Sequence, residues 1–270
     1  MLPLILESLL ESYRSQKLDA KWKKSAPTPE DLEAMKREAE TGQQFDPLGL
    51  KMGVWSEYSK GQYKQHCYEC DVARVVALLP KGAKIPLDDW GIILHWFGPS
   101  PDGEPWKIYW FGATVPRKFP SHGEALTAAH LNGGYTMACS ASGIFIYRME
   151  EATRVLIHEM LHAACLDPRT DDIQIRESTV ETWAELILIA FRAKGSSEKA
   201  ASLWAEQAQW IADTNNRAAT SHNVRNASKY GYRYLNGRVA IYASLGIELP
   251  PPSGKGTVNS SRFTTPKLDT

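Results

Sequence analysis

The stretch Val155-Leu156-Ile157-His158-Glu159-Met160-Leu161-His162-Ala163-Ala164 decides how the rest of the chain is read. Two histidines four residues apart on a helix project from one face at successive turns, so both imidazoles can reach a single metal ion. Glu159, next to the first histidine, can then reach a water on that metal without being a ligand itself. The positions around the three polar residues are uncharged and mostly apolar, as a helix buried behind a metal requires. The competing reading is of two core histidines that hydrogen-bond to their neighbours.

A catalytic zinc needs a third protein ligand and one open position. No H-x-x-G-x-x-H continuation follows His162, and Pro168 stands where its histidine would fall. The next helical stretch, 176–194, carries Glu177, Glu181 and Glu185 at four-residue intervals, near one face but drifting by about 40° per step. Helical periodicity does not choose among them.

The motif, the eighteen residues between His162 and Glu181 and the Glu181/Glu185 pair resemble the gluzincin zinc metallopeptidases, such as thermolysin and the one-zinc aminopeptidases. The resemblance spans residues 132–190. It implies a zincin-like fold, a Zn2+ cofactor, a peptide or protein substrate and peptide-bond hydrolysis with Glu159 as general base. By the same resemblance Glu181 is the third ligand, Glu185 orients His158, and Glu177 is a solvated residue at the helix start. In that group a tyrosine or histidine from a later helix stabilises the oxyanion. His222, Tyr230 and Tyr234 are the local candidates, and the two tyrosines are preferred because they share a helical face; aromatic packing is the competing reading. The segment 133–137 or 143–147 would be the edge strand that pairs with substrate, its glycines admitting a close backbone. The motif string also resembles SprT-like proteases that act on DNA-linked proteins, but residues 171–176 offer no histidine as third ligand. A zincin-fold binding or structural protein without activity is the alternative of another class. It has no use for the unliganded base Glu159.

Composition bounds these readings. With 43% hydrophobic and 10% aromatic residues the protein can bury a substantial core. Its 31 basic and 31 acidic residues cancel, so net charge provides no field that steers it to nucleic acid or anionic lipid. The N-terminus lacks a basic segment before its short apolar run, and no uncharged stretch approaches the ~18 residues of a membrane span. A soluble, intracellular protein is expected, with no membrane partner. Its four cysteines are then reduced, Cys139 and Cys165 standing alone and Cys67/Cys70 forming a C-x-x-C without a second pair. His95, His122 and His130 read as structural or surface residues.

The fold class expected is α+β, a small and mostly antiparallel sheet followed by a helical half that carries the metal site. Residues 1–60 read as N-terminal helices and a linker, 61–249 as the metallopeptidase domain, and 250–270 as a disordered tail. Strand-like runs fall at 72–79, 91–97, 106–111, 135–139 and 143–147, with 99–103 as a hairpin loop. Helical periodicity marks 4–13, 150–165, 176–194, 197–217 and 221–245, and Thr28, Pro29 and Asp31 form a helix start.

Overall fold

The computed structural model describes residues 1–16, 20–41, 45–254 and 259–269. Its architecture is α+β, and among the described residues the strands form one six-stranded mixed sheet. The polypeptide divides into two compact units. One comprises Gln16–Pro116 and Asn132–Leu166, the other Met1–Ser15, Arg117–Leu131 and Asp167–Thr270.

The first unit holds the sheet, with order β1-β2-β3-β4-β6-β5. Its strands are β1 (Lys23–Lys24), β2 (Tyr63–Glu69), β3 (Ala73–Pro80), β4 (Trp106–Ala113), β5 (Gly134–Thr136) and β6 (Ile144–Arg148). β3, β4 and β6 run parallel at the centre, while β1, β2 and β5 pair antiparallel. The near-continuous burial of 75–79 and 108–111 follows, because parallel central strands are covered on both faces. On one face lie Met35 of α2 (Pro29–Thr41) and Leu50 and Val54 of α3 (Leu50–Ser59), packed with Val76, Leu78, Tyr109 and Phe111. On the other, Trp90 of α4 (Leu87–Phe97) meets Trp110 at 5.2 Å and donates to Thr153 of α6 (Ala152–Ala163) at 3.0 Å.

Three of the five strand pairings are antiparallel, but the two central ones are parallel, so the sheet is mixed, and the cause is local. Residues 91–97 are not a strand but the second half of α4, which buries Trp90, Ile93 and Leu94 at helical spacing and opens on Asp88 and Asp89. This helix makes the crossover that lets β3 and β4 run parallel, so 99–103 enters β4 from a helix rather than turning a hairpin. The helices of 29–59 are a layer of the sheet unit, not an appendage. At the start of α2, the Thr28 N–H donates to Asp31 (2.8 Å) and the Asp31 N–H to Thr28 Oγ1 (3.2 Å), a reciprocal cap.

The second unit contains α1 (Leu2–Arg14), α5 (Ala128–Leu131), α7 (Ile173–Ala193), α8 (Ser197–Ser221) and α9 (Arg238–Ser244). The single helix expected over 221–245 is absent. Asn223 takes a left-handed φ of 55°, Tyr230–Tyr232 is one 3-10 turn, and Gly237 lies so close to α7 that a Cβ there would stand 2.4 Å from Ser178 Oγ. Residues 259–269 of the expected disordered tail are packed. Phe263 joins a core with Phe119, Leu126 and Ala218, and Gln207 donates to the Phe263 carbonyl (2.8 Å) while accepting from the Thr265 N–H (2.9 Å). Two apolar anchors, Phe263 and Leu268, and hydroxyls bonded to distant carbonyls hold a segment whose composition is polar. Residues 255–258 and 270 lie outside the described part.

Candidate metal centre

Every residue of α6 is buried, so the polar side chains on it must be satisfied within the protein or by a ligand. His158 and His162 point their Nε2 atoms at each other, 3.2 Å apart, with ring planes inclined at 73°. Two nitrogen ligands at about 2.0–2.1 Å from a tetrahedral zinc stand roughly 3.3 Å apart, so the pair has the bite of a shared cation. An N–H of one ring can also bridge to the other at this distance.

Glu159 is buried at the same level. Its Oε1 lies 3.3 Å from where a Cβ on Gly134 would stand, and that Cβ would also meet Val155 Cγ1 at 2.5 Å and the Phe145 carbonyl at 2.8 Å. Gly134 is thus required for β5 to lie directly against α6, whereas the sequence suggests that glycine there admits a substrate backbone. β5 is nonetheless an edge strand of the sheet. Its outer face is fixed by Tyr135, whose ring stacks between Phe45 (4.9 Å) and Phe145 (5.2 Å) and receives the Lys51 ammonium at 4.9 Å. Burial, then a hydrogen bond to Glu38 and the charge of Glu159, push the Tyr135 phenol well above its ordinary pKa.

The end of α6 is braced in a way the sequence does not suggest. Cys139 and Cys165 are not separate thiols but a disulfide, with Cα atoms 4.6 Å apart. Both backbone N–H groups donate to the His162 carbonyl, at 3.0 and 3.1 Å, from residues in left-handed conformation. The crosslink therefore clamps the backbone of the second histidine. Cys67 and Cys70 are free, as expected, and burial raises both thiol pKa values, which keeps them protonated.

Among the described residues, His158, His162 and Glu177 form a group whose ligand atoms lie within 4.8 Å of one another and which could hold a metal ion. Glu177 is half-buried near the start of α7, not the solvated residue expected of it, and Glu181, the expected ligand, is buried but outside that group. The physical reason is the 40° drift between successive glutamates, which lets only one of them present its carboxylate at a given point. Glu185 has a structural task. Its Oε1 accepts from Gln207, and its Oε2 from Arg238 (2.6 Å) and Tyr242 (2.8 Å), with both charges fully buried. These are the partners the structure shows for the residue that the resemblance casts as orienting His158.

Tyr230 and Tyr234 do not share a helical face but flank a turn, with ring centroids 5.4 Å apart. Burial first, and the Glu177 charge second, raise the Tyr234 pKa well above its usual value, so its hydroxyl stays a neutral donor. His222 is buried, stacked on Phe119 (5.1 Å) with Nδ1 against the Glu124 carbonyl at 2.9 Å. If that contact is an N–H donation, Nε2 is a bare acceptor. His95 places its ring nitrogens against the Gly91 carbonyl and Asp71, a structural arrangement. Comparison with family models, with curated proteins and with solved structures found no match to this protein.

Proposed function

We propose that the protein is a zinc-dependent hydrolase of peptide bonds. The observation that carries the reading is the 3.2 Å separation of two histidine Nε2 atoms on a buried helix, with the acid Glu159 between them in sequence. His158, His162 and Glu177 would hold the ion, Glu177 in place of the glutamate that the gluzincin resemblance selects. A zinc ion bound there supplies Lewis acidity, polarising a carbonyl and lowering the pKa of a water.

The protein's own part is proton handling and positioning. Glu159, held against β5, accepts the proton of the attacking water and returns it to the leaving amine. The enclosed helix excludes bulk solvent, which strengthens each electrostatic contact. The neutral Tyr234 hydroxyl, in the field of Glu177, is the donor proposed for the developing oxyanion. No helix among the described residues is long and apolar enough to cross a membrane. The Cys139–Cys165 disulfide suits an oxidising compartment rather than the intracellular setting expected from the N-terminus.

The test separates chemistry from folding. Glu159→Gln removes a base but no ligand, so zinc content and thermal stability should persist while hydrolysis of a quenched-fluorescence peptide library falls by ~100- to 10,000-fold. Turnover equal to that of the wild type would refute the mechanism.

A further inference from the structure

The turn that follows α8 carries an arginine whose charge the fold does not pair. Most other half-buried or buried arginines here have partners. Arg74 meets Asp31 and Glu69, Arg238 meets Glu185, Arg262 meets Asp269, and Arg148 donates to two carbonyls. Arg233 is half-buried, has no ion pair or side-chain hydrogen bond among the described residues, and its Nε is buried without an acceptor.

What Arg233 does contact leaves its donors open. Its Cζ lies 5.2 Å from the Tyr230 centroid and 5.9 Å from that of Tyr234, and the two rings are 5.4 Å apart. These nearly equal distances describe a triangle, not a sandwich, so both rings lie to one side of the guanidinium. Cation–π contact is electrostatic attraction to a ring face and supplies no acceptor for the N–H groups, which lie in the guanidinium plane. Burying the Nε–H donor unpaired is unfavourable, and a ligand that accepts from it and from the half-buried terminal nitrogens would complete the set.

The turn is also fixed beside the start of α7, which carries Glu177. Ser178, the residue after Glu177, donates its hydroxyl to the Arg233 carbonyl at 2.9 Å, and Gly237 permits the close approach. Tyr234 feels the charges of both Glu177 and Arg233, which places the three in one electrostatic neighbourhood. Arg217 shares a buried, unpartnered Nε but lies over Phe119, and nothing ties it to Glu177.

We propose that Arg233 is the receptor for a carboxylate of the substrate, through the planar two-point pairing that a guanidinium offers and an ammonium does not. The assignment of this carboxylate to a peptide substrate rests on the hydrolase reading above. The receptor itself is tested independently of it. The terminal carboxylate of a peptide and an Asp or Glu side chain present the same group, and the probes distinguish them.

The full-length protein, zinc-loaded and separately chelator-treated, is titrated calorimetrically with acetyl-Ala-Ala and its amide, and with acetyl-Glu-Ala amide and acetyl-Gln-Ala amide. In both metal states at least one carboxylate probe should bind roughly 10- to 100-fold more tightly than its neutral counterpart. Arg233→Gln should abolish that preference, and Arg233→Lys, which keeps the charge but not the fork, should retain only part. Whichever pair shows the preference identifies the source of the carboxylate. The chelated arm removes direct carboxylate–zinc contact, so a protein that proves to bind no zinc would sink the hydrolase reading while leaving Arg233 to be judged. Equal affinity for acid and neutral probes in the wild type, no binding of any probe at millimolar concentration, or an intact preference in folded Arg233→Gln would overturn the proposal. If Arg233→Gln does not fold, an undiminished preference in Arg233→Lys overturns it.

Discussion

Glu185→Ala distinguishes a structural carboxylate from one that serves the metal. In the native protein Glu185 and Arg238 are both fully buried and paired at 2.6 Å, and Tyr242 and Gln207 donate to the same carboxylate. Truncation leaves the Arg238 guanidinium in the interior without its counter-charge, for which losses of about 3–5 kcal/mol are typical. The orphaned Tyr242 and Gln207 donors would each add about 1–3 kcal/mol if independent. They share one partner, so the effects are not additive, and about 4–5 kcal/mol is the expected total. At roughly 2–4 °C per kcal/mol this lowers the melting temperature by about 8–20 °C. Urea unfolding and calorimetry read the loss directly. Arg238→Met in the same background should recover part of it, since an apolar replacement removes the uncompensated charge. Zinc affinity, measured below the transition, should change little. A loss under 1 kcal/mol together with a ~10- to 100-fold weaker zinc affinity would refute this reasoning and restore Glu185 as the group that orients His158.

Two further outcomes follow from the sheet unit. Replacing Cys139 and Cys165 by serine opens a loop with a sequence separation of 26, worth about 3.5 kcal/mol in the polymer-entropy account, so unfolding free energy should fall by roughly 2–4 kcal/mol in denaturant melts. The same double variant should speed hydrogen exchange at residues 162–166, where the His162 carbonyl loses its clamp. Burial alone would raise the Asp31 pKa, but its hydrogen bonds to Arg74 and Thr28 outweigh that and hold it below the usual value. A depressed carboxyl pKa stabilises the fold above the unfolded-state value of about 3.9 and loses that contribution as pH falls through the lower folded-state value. Asp31→Asn should therefore cost about 1–2 kcal/mol at pH 7, with the difference from the wild type starting to shrink below about pH 4 and vanishing only once pH has fallen through the depressed folded-state pKa.

How far the sequence reveals this molecule depends on whether the determining contacts are local. The motif helix is legible because its polar residues are set in an apolar run at helical spacing, and the apolar runs of β3, β4 and β6 are equally plain. β2 escapes notice because the polar residues Lys64, Gln65 and His66 are consecutive in it and occupy both faces of the strand, leaving little apolar alternation to read. Residues 91–97 mislead because a window starting at Gly91 omits Asp88, Asp89 and Trp90, which set the helical phase of α4. The Cys139–Cys165 pair has no local signal, since reversal of the backbone around β6 and α6 brings the two together. Among the three glutamates the period gives a row but no phase, and that phase is set by tertiary contacts such as those of Glu185. Arg233 is invisible for a related reason. A missing partner is a property of the folded environment, and no composition or spacing records it.

The central claim is that His158 and His162 share a metal ion completed by Glu177, and metal analysis of dialysed protein tests it most directly. About one zinc per protein molecule is expected for the wild type. His162→Ala should carry none, Glu177→Ala should lose most of its zinc on dialysis, and Glu181→Ala should keep it. Full zinc occupancy in His162→Ala would contradict the account, and the reverse order of the two glutamate variants would return the third ligand to Glu181.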